Sequence, residues 1–245
     1  QVDPLLGKVA DTLVQSTWGT AGASRAFADT IAARGTHATA LANGKGAAWI
    51  STMGGSSRLS ADGGHAGADY TLTGAAFGME TRLSDQSTVG LAIGNSWGKV
   101  STFSAYPVDA DSTHQGIYGK HLLGSSTTLS WMAAHTRTES DANLAGMACD
   151  WTQDALQLDA RVDKLFAISD RTTVSAFVGM QYLATDKGEC NGMSTGSLQN
   201  LRGEIGVSAA HKATDKAYAY GELSFIGDMV RHNPTATVGD YRSRG

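Results

Sequence analysis

Most of this chain alternates in character with a period of two, and it does so in runs longer than ordinary strands. From Leu156 onward, Leu156, Leu158, Ala160 and Val162 alternate with Gln157, Asp159, Arg161 and Asp163. Val174, Ala176, Val178, Met180 and Tyr182 likewise oppose Thr173, Ser175, Phe177, Gly179 and Gln181, and Leu201, Ile205 and Val207 oppose Arg202, Glu204 and Ser208. Val89, Leu91 and Ile93 alternate with Gly90, Ala92 and Gly94. Successive side chains of a strand point to opposite faces, so each run has one apolar and one wet or small-residue face. The pattern predicts nine complete strands near 47–57, 67–82, 87–101, 113–123, 127–138, 151–167, 172–185, 197–210 and 217–229, with a tenth beginning near Val238. Soluble strands usually hold about five or six residues, whereas a tilted strand needs about 9–11 to cross a bilayer.

The connections add a second regularity. Short links at 83–87, 123–127, 168–172 and 211–216 alternate with longer ones near 58–66, 102–112, 139–150, 186–196 and 230–237. A soluble sandwich has no reason to alternate in this way, but an outer-membrane barrel does, with short periplasmic turns and longer outside loops. Composition agrees. Only 17% of the 245 residues are charged, against about 25% in a typical soluble domain, and glycine is abundant at 30 while proline numbers 3. No run approaches the roughly 18 apolar residues of a membrane helix, and barrel strands leave no such trace in mean hydropathy. A net charge of −4 argues against a nucleic-acid partner. No basic segment followed by an apolar one opens the chain, so any signal peptide is expected to lie upstream or to have been removed.

The first 34 residues follow another period. Leu6, Val9, Leu13, Val14, Phe27, Ala28 and Ile31 recur at spacings of three and four, the mark of a helix with one apolar side. Gly35 is a plausible C-cap, and Gly19 and Gly22 leave open one helix with a weak middle or two short ones. This segment arrives at the short-turn end of the first strand, where it could lie outside the barrel or run through it. Inward-facing Asp159, Arg161, Asp163, Arg202 and Glu204 favour a lined lumen, because such charges need water or partners.

The stretch 46–101, with Trp49 on an opening strand and a Gly-rich hairpin from Tyr70 to Met79, resembles the opening of the translocator barrel of Gram-negative autotransporters. Residues 197–211, containing Leu201-Arg202-Gly203-Glu204, and 217–230 resemble later strands of that family, and residues 5–34 resemble its linker helix. The resemblance implies an all-β transmembrane barrel of twelve antiparallel strands, about ten of them represented, with the N-terminal helix inside the lumen. It divides the chain into a linker with a pore-spanning helix, 1–46, and an outer-membrane barrel, 47–245, that lacks its last two strands. The implied function is anchoring in the outer membrane and export of an upstream passenger, without catalysis or cofactor. Implied partners are outer-membrane lipid, the passenger, the barrel assembly machinery and periplasmic chaperones, with the barrel itself monomeric. The alternative is a porin or solute channel plugged by the helix. Family members that cut their passenger use an asparagine near the helix, and the first forty residues contain no Asn-Asn junction.

Other candidates follow from position. Asp159, Arg161, Asp163, Arg202 and Glu204 either hold the helix or form a polar wall pairing only within itself. Cys149 and Cys190 both fall near long links and flank neighbouring strands, so they could form a disulfide across the outer rim or remain free thiols. Trp49, Trp97, Trp131, Trp151, Tyr182 and Tyr218 are candidates for interfacial aromatic girdles, or for plain strand packing. The seven histidines form no ligand-spaced set, and 124–126 lacks a nucleophile elbow.

Overall fold

The computed structural model describes residues 4–37, 46–59, 68–102, 106–214, 217–238 and 241–244. A single helix, α1 (Pro4–His37), precedes β1 (Gly46–Leu59), β2 (Ala68–Ser84), β3 (Ser87–Thr102), β4 (Val108–Leu122), β5 (Thr127–Leu144), β6 (Met147–Ser169) and β7 (Thr172–Thr185). The short strands β8 (Glu189–Cys190) and β9 (Met193–Ser194) follow, then β10 (Gln199–Thr214), β11 (Ala217–His232), β12 (Thr235–Val238) and β13 (Tyr241–Arg244). Nine long strands form one antiparallel sheet, β1-β2-β3-β4-β5-β6-β7-β10-β11, in which each strand pairs with the next long strand along the chain. The remaining four form a small sheet, β13-β12-β9-β8, at one rim.

These are the nine strands expected from the alternation, and their length follows from the membrane. Sixteen residues of β3, at about 3.3 Å each and tilted by about 45°, rise about 37 Å, beyond an apolar band of about 25 Å. The outward phase of each strand carries Ile50, Met79, Ile93, Leu158, Val178, Ile205, Leu223 and Phe225, all exposed, as a lipid-facing surface requires. The inward phase is buried, as in Leu72, Ala76, His114, Thr136, Gln153 and Gln157. Arg161 shows how strongly the sheet curves. β6 and β11 lie three strand spacings apart, about 14 Å along the sheet, yet Arg161 Nη2 reaches Glu222 Oε2 at 3.0 Å. Both side chains therefore point into the hollow of the curve.

Three expectations are corrected. The 139–150 segment is not a loop: β5 and β6 continue through it to a two-residue turn at Ala145–Gly146, where both residues take positive φ, 55° and 89°. Primed turns of this kind suit the strand twist, and Asn143 Oδ1 accepts a 2.9 Å hydrogen bond from the Gly146 amide to brace it. Long and short links therefore do not alternate strictly. The 102–112 link is also shorter than expected, because β4 begins at Val108. Finally, the described residues after β11 do not start a tenth wall strand near Val238. They form the β12–β13 hairpin, and Thr237 of β12 pairs with Ser194 of β9 in the rim sheet.

The N-terminal ambiguity resolves as one helix. Gly19 and Gly22 lie within it, and α1 continues past Gly35 to His37. A Cβ at Gly19 would crowd Val100, and one at Gly22 would crowd the Tyr70 ring, so the glycines admit the helix to the wall.

Within the sheet, Trp49, Tyr118, Trp131 and Phe177 each pair directly with a glycine, at Gly78, Gly90, Gly119 and Gly206. Each ring occupies the space that a Cβ on its glycine would take. Gly78→Val is therefore expected to displace the Trp49 ring and destabilise the fold by about 1–3 kcal/mol. Heat-dependent gel mobility of the detergent-folded protein should show a lowered transition, partly restored by adding Trp49→Ala; an unchanged transition for Gly78→Val would contradict this account.

Candidate functional site

Among the described residues, polar groups, apolar groups and a separate element converge in the hollow of the sheet. Thirty-four helical residues span about 51 Å, enough to run the full height of the strands. α1 packs against β1 to β7 and against β12 and β13, so it is surrounded rather than laid on a surface. Its C-terminal end leads to the start of β1 at the short-turn rim. Its N-terminal half lies at the opposite rim.

Three apolar clusters fix it along its length. Val9, Ala10, Leu13 and Val14 pack with Val108, Leu144, Cys149, Trp151, Met193 and Val238 near the rim of the longer links. Ala21 meets Ala155, Leu183 and Leu198 in the middle. Phe27, Ala28 and Ile31 meet Trp49, Met53, Ala76, Ala92, Tyr118 and Met132 toward the short-turn rim.

Between these clusters the contact is polar. Ser24 Oγ donates to Gln157 Oε1 at 3.1 Å, and Gln157 Nε2 donates to both carboxylate oxygens of Asp159, the shorter at 3.0 Å. Gln153 Nε2 donates to Thr17 Oγ1 at 3.2 Å, and Thr17 Oγ1 itself donates to the Gly196 carbonyl at 3.1 Å. The Arg231 guanidinium sits 4.9 Å above the Trp18 ring. The buried Ser16 hydroxyl turns back to the helix carbonyl of Leu13, and Thr12 Oγ1 donates to the Lys8 carbonyl while accepting a 3.0 Å hydrogen bond from the Tyr106 amide just ahead of β4.

The five charged residues expected in the lumen all lie on the inward phase, in two groups. Arg161 binds Asp163 at 2.9 Å and Glu222 at 3.0 Å, and its guanidinium stacks 3.4 Å from the centre of the buried Phe177 ring. Arg202 Nε donates to Asp228 Oδ1 at 2.9 Å, which also accepts from Asn200 Nδ2 at 3.1 Å. Arg25 and Asp29 of the helix face wall charges of both signs: Arg25 is opposed by Arg202 and Arg231 and favoured by Asp228, and Asp29 is opposed by Glu204 and favoured by Arg202. Asp159 feels Asp29, Glu204 and Arg25. The second group thus meets the helix, while the first pairs within the wall.

Cys149 and Cys190 are joined in a disulfide with a Cα–Cα distance of 5.8 Å, linking the β5–β6 hairpin to the β8–β9 hairpin at the rim of the longer links. The aromatic candidates separate. Trp97 is exposed on the outer face of β3, Trp131 on that of β5, and Tyr182 shares the outward phase of Leu158 and Leu201. The Tyr218 side chain lies outside the described residues. Trp49 and Trp151 are corrected: both point inward and are buried. The reason is the pleat, since each falls on the same phase as buried neighbours such as Met53 and Gln153. Trp49 Nε1 donates to Tyr118 Oη at 2.7 Å, and that hydroxyl donates to Glu80 Oε2 at 3.2 Å.

The contacts of Ser24, Gln153, Gln157, Phe27 and His114 escaped the sequence reading, which had Phe27 only on the helix's apolar side and Gln157 only on a wet strand face. Gln157 and Gln153 were within reach of it, because the alternation that placed Asp159 inward places both on the same face. The helix partners lacked any such signal, since a helix phase alone does not state its rotation inside a tube. Among the described residues no group of three or more His, Cys, Asp and Glu gathers to hold a metal.

A family model described as the autotransporter β-domain matches residues 48–243. Among solved structures, the translocator domain of autotransporter NalP from Neisseria meningitidis is 18% identical, with a TM-score of 0.67, over 88% of this chain and 81% of that one. The transport unit of AIDA-I from Escherichia coli is 14% identical, with a TM-score of 0.63, over 87% and 82%. The β domain of the Bordetella autotransporter BrkA is 12% identical, with a TM-score of 0.60, over 79% and 86%. These likenesses concern the fold. No curated protein matches the chain in sequence.

Two outcomes follow from the geometry. Arg161→Met leaves Asp163 and Glu222 without their shared cation and is expected to cost about 2–3 kcal/mol in urea unfolding, part of which Glu222→Gln in the same chain should recover; no loss would mean that water serves the carboxylates equally well. In a non-reducing digest, the peptides holding Cys149 and Cys190 should appear as one linked mass that separates on reduction.

Proposed function

The chain belongs to the autotransporter β-domain family, and from that premise we propose that it exports a passenger joined ahead of α1 and then keeps its own pore filled with that helix. As a member of the family it is a translocator of the Gram-negative outer membrane, a transport device and not a catalyst. The observation that carries the specific reading is the direction of α1. Its C-terminal end joins β1 at the short-turn rim, whereas Val9 to Val14 pack among Leu144, Cys149 and Met193 at the other. A polypeptide attached before α1 therefore leaves the lumen on the side of the longer links. In a barrel of this class that side faces outward.

On this reading residues 1–46 are the linker and 47–245 the barrel. Asp159, Arg202 and Glu204 set the mixed charge that faces Arg25 and Asp29, while Arg161 and Asp163 stiffen the wall. The Cys149–Cys190 bond ties two outer hairpins beside the exit in an oxidising compartment. Trp97, Trp131 and Tyr182 sit where aromatic rings suit the membrane interface. Barrel assembly machinery and periplasmic chaperones are the partners that insertion of such a wall calls for, since unpaired strand edges in lipid cost several kcal/mol per group. The barrel acts as a monomer. A helix that meets the wall through apolar clusters and hydrogen bonds to Gln153 and Gln157 suits a retained plug better than the free passage of a solute channel.

A reporter fused ahead of residue 1 tests the direction. It should be removed by protease added to intact cells, with the barrel left in the membrane fraction. Protection of the reporter until the cells are lysed would overturn the proposed orientation.

A further inference from the structure

Between Gly19 and Thr30 the helix is nearly smooth. Apart from Arg25, its residues there are glycine, alanine, serine, threonine and aspartate, and Phe27 alone adds a large apolar side chain. Phe27 is fully buried, and the wall opposite it is hollowed to receive it. A Cβ on Gly94 would come within 3.3 Å of the ring, and one on Gly116 within 3.2 Å, tight enough that the ring would have to give by a few tenths of an ångström. Their inward cross-strand neighbours Ala76, Ala92 and Ala134 are also small.

The recess has a fixed side. The His114 ring stacks on Phe27 with centroids 5.0 Å apart and planes 15° from parallel. Both imidazole nitrogens are tethered, Nε2 to Ser96 Oγ at 2.9 Å and Nδ1 to Thr136 Oγ1 at 2.9 Å, on the two neighbouring strands. Two residues beyond Gly116 on the same face, Tyr118 forms a ledge held by Trp49. An apolar ring seated among these groups cannot move along the pore axis without leaving the glycines and meeting Tyr118 on one side or the Ser96–His114–Thr136 row on the other. Small side chains elsewhere on the helix present no comparable obstacle to sliding.

We propose that Phe27 is a positioning residue whose ring, seated in the Gly94–His114–Gly116 recess, sets the depth of α1 and locks it in the pore once export is complete. The proposal rests on the translocator reading and adds to it the device that ends the open state. Because the recess is part of the wall, it selects the one phenylalanine of the helix.

The test is single-channel recording of the full-length protein in planar lipid bilayers, with Ile31→Ala as the control. Ile31 is buried in the same cluster but touches no glycine recess, so its truncation removes packing without removing the interlock. Phe27→Ala should raise the open-to-closed ratio about tenfold or more, and Phe27→Leu should recover part of the closure. Ile31→Ala should stay within about twofold of the native protein. Gly116→Val, which fills the recess from the wall, should open the channel as Phe27→Ala does, with heat-dependent gel mobility showing that it has folded. Equal opening by Phe27→Ala and Ile31→Ala would reduce Phe27 to ordinary packing and overturn the proposal, as would an unchanged ratio in Phe27→Ala. Display of an upstream reporter by the native protein is scored separately. Failure there counts against the translocator reading, whereas normal display with a Phe27→Ala channel that stays shut counts against the lock alone.

Discussion

A backbone in hydrocarbon has nothing but itself to hydrogen-bond with, and the rest of this structure depends on that constraint. Nine long strands answer it by pairing each with the next in an antiparallel ladder, and the sheet curves so that one face meets lipid and the other a hollow. The curve creates the second problem. Inward side chains such as Gln153, Gln157, Asp159 and Arg202 stand away from bulk water in a confined space, and each needs a partner there.

The helix meets that need, and its composition follows from the task. A strongly apolar helix would leave the polar wall unsatisfied, and a strongly charged one would demand a matching charge at every turn. α1 instead mixes apolar anchors with hydroxyls. Ser24 and Thr17 reach the wall, Thr12 bonds both the helix backbone and the Tyr106 amide, Ser16 returns to the helix backbone, and Arg25 and Asp29 face a stretch of wall that carries charges of both signs. Small residues bring the helix axis close to the strands, so that weak contacts act over many positions at short range.

The wall was legible in the sequence because its physics is local and repetitive. A period of two survives any rearrangement elsewhere, and it placed Asp159, Arg161 and Glu204 on the correct face before any contact was known. Turn lengths were less legible: Ala145 holds a positive φ that sequence rules reserve for Asn or Gly, so the β5–β6 hairpin read as a loop. Trp49 and Trp151 were misread because their residue type suggested the membrane interface, although their phase already placed them inside. The lumen contacts were out of reach for another reason. Ser24 finds Gln157, and Phe27 finds His114, across more than eighty residues of chain, through the rotation and depth of a helix that no periodicity specifies.

The pairing of aromatic rings with glycines across neighbouring strands bears on how this wall can change over time. Trp49 with Gly78, Tyr118 with Gly90, Trp131 with Gly119 and Phe177 with Gly206 each divide one fixed volume between two positions. A larger residue at Gly78 has no room until the Trp49 ring shrinks, and at Gly206 the β11 backbone crowds the same space as Phe177. At Gly78, a change at the glycine calls for a compensating change in its ring. Such pairs couple the volumes of sites on adjacent strands, so that the wall's tolerance to substitution is set pair by pair and not residue by residue.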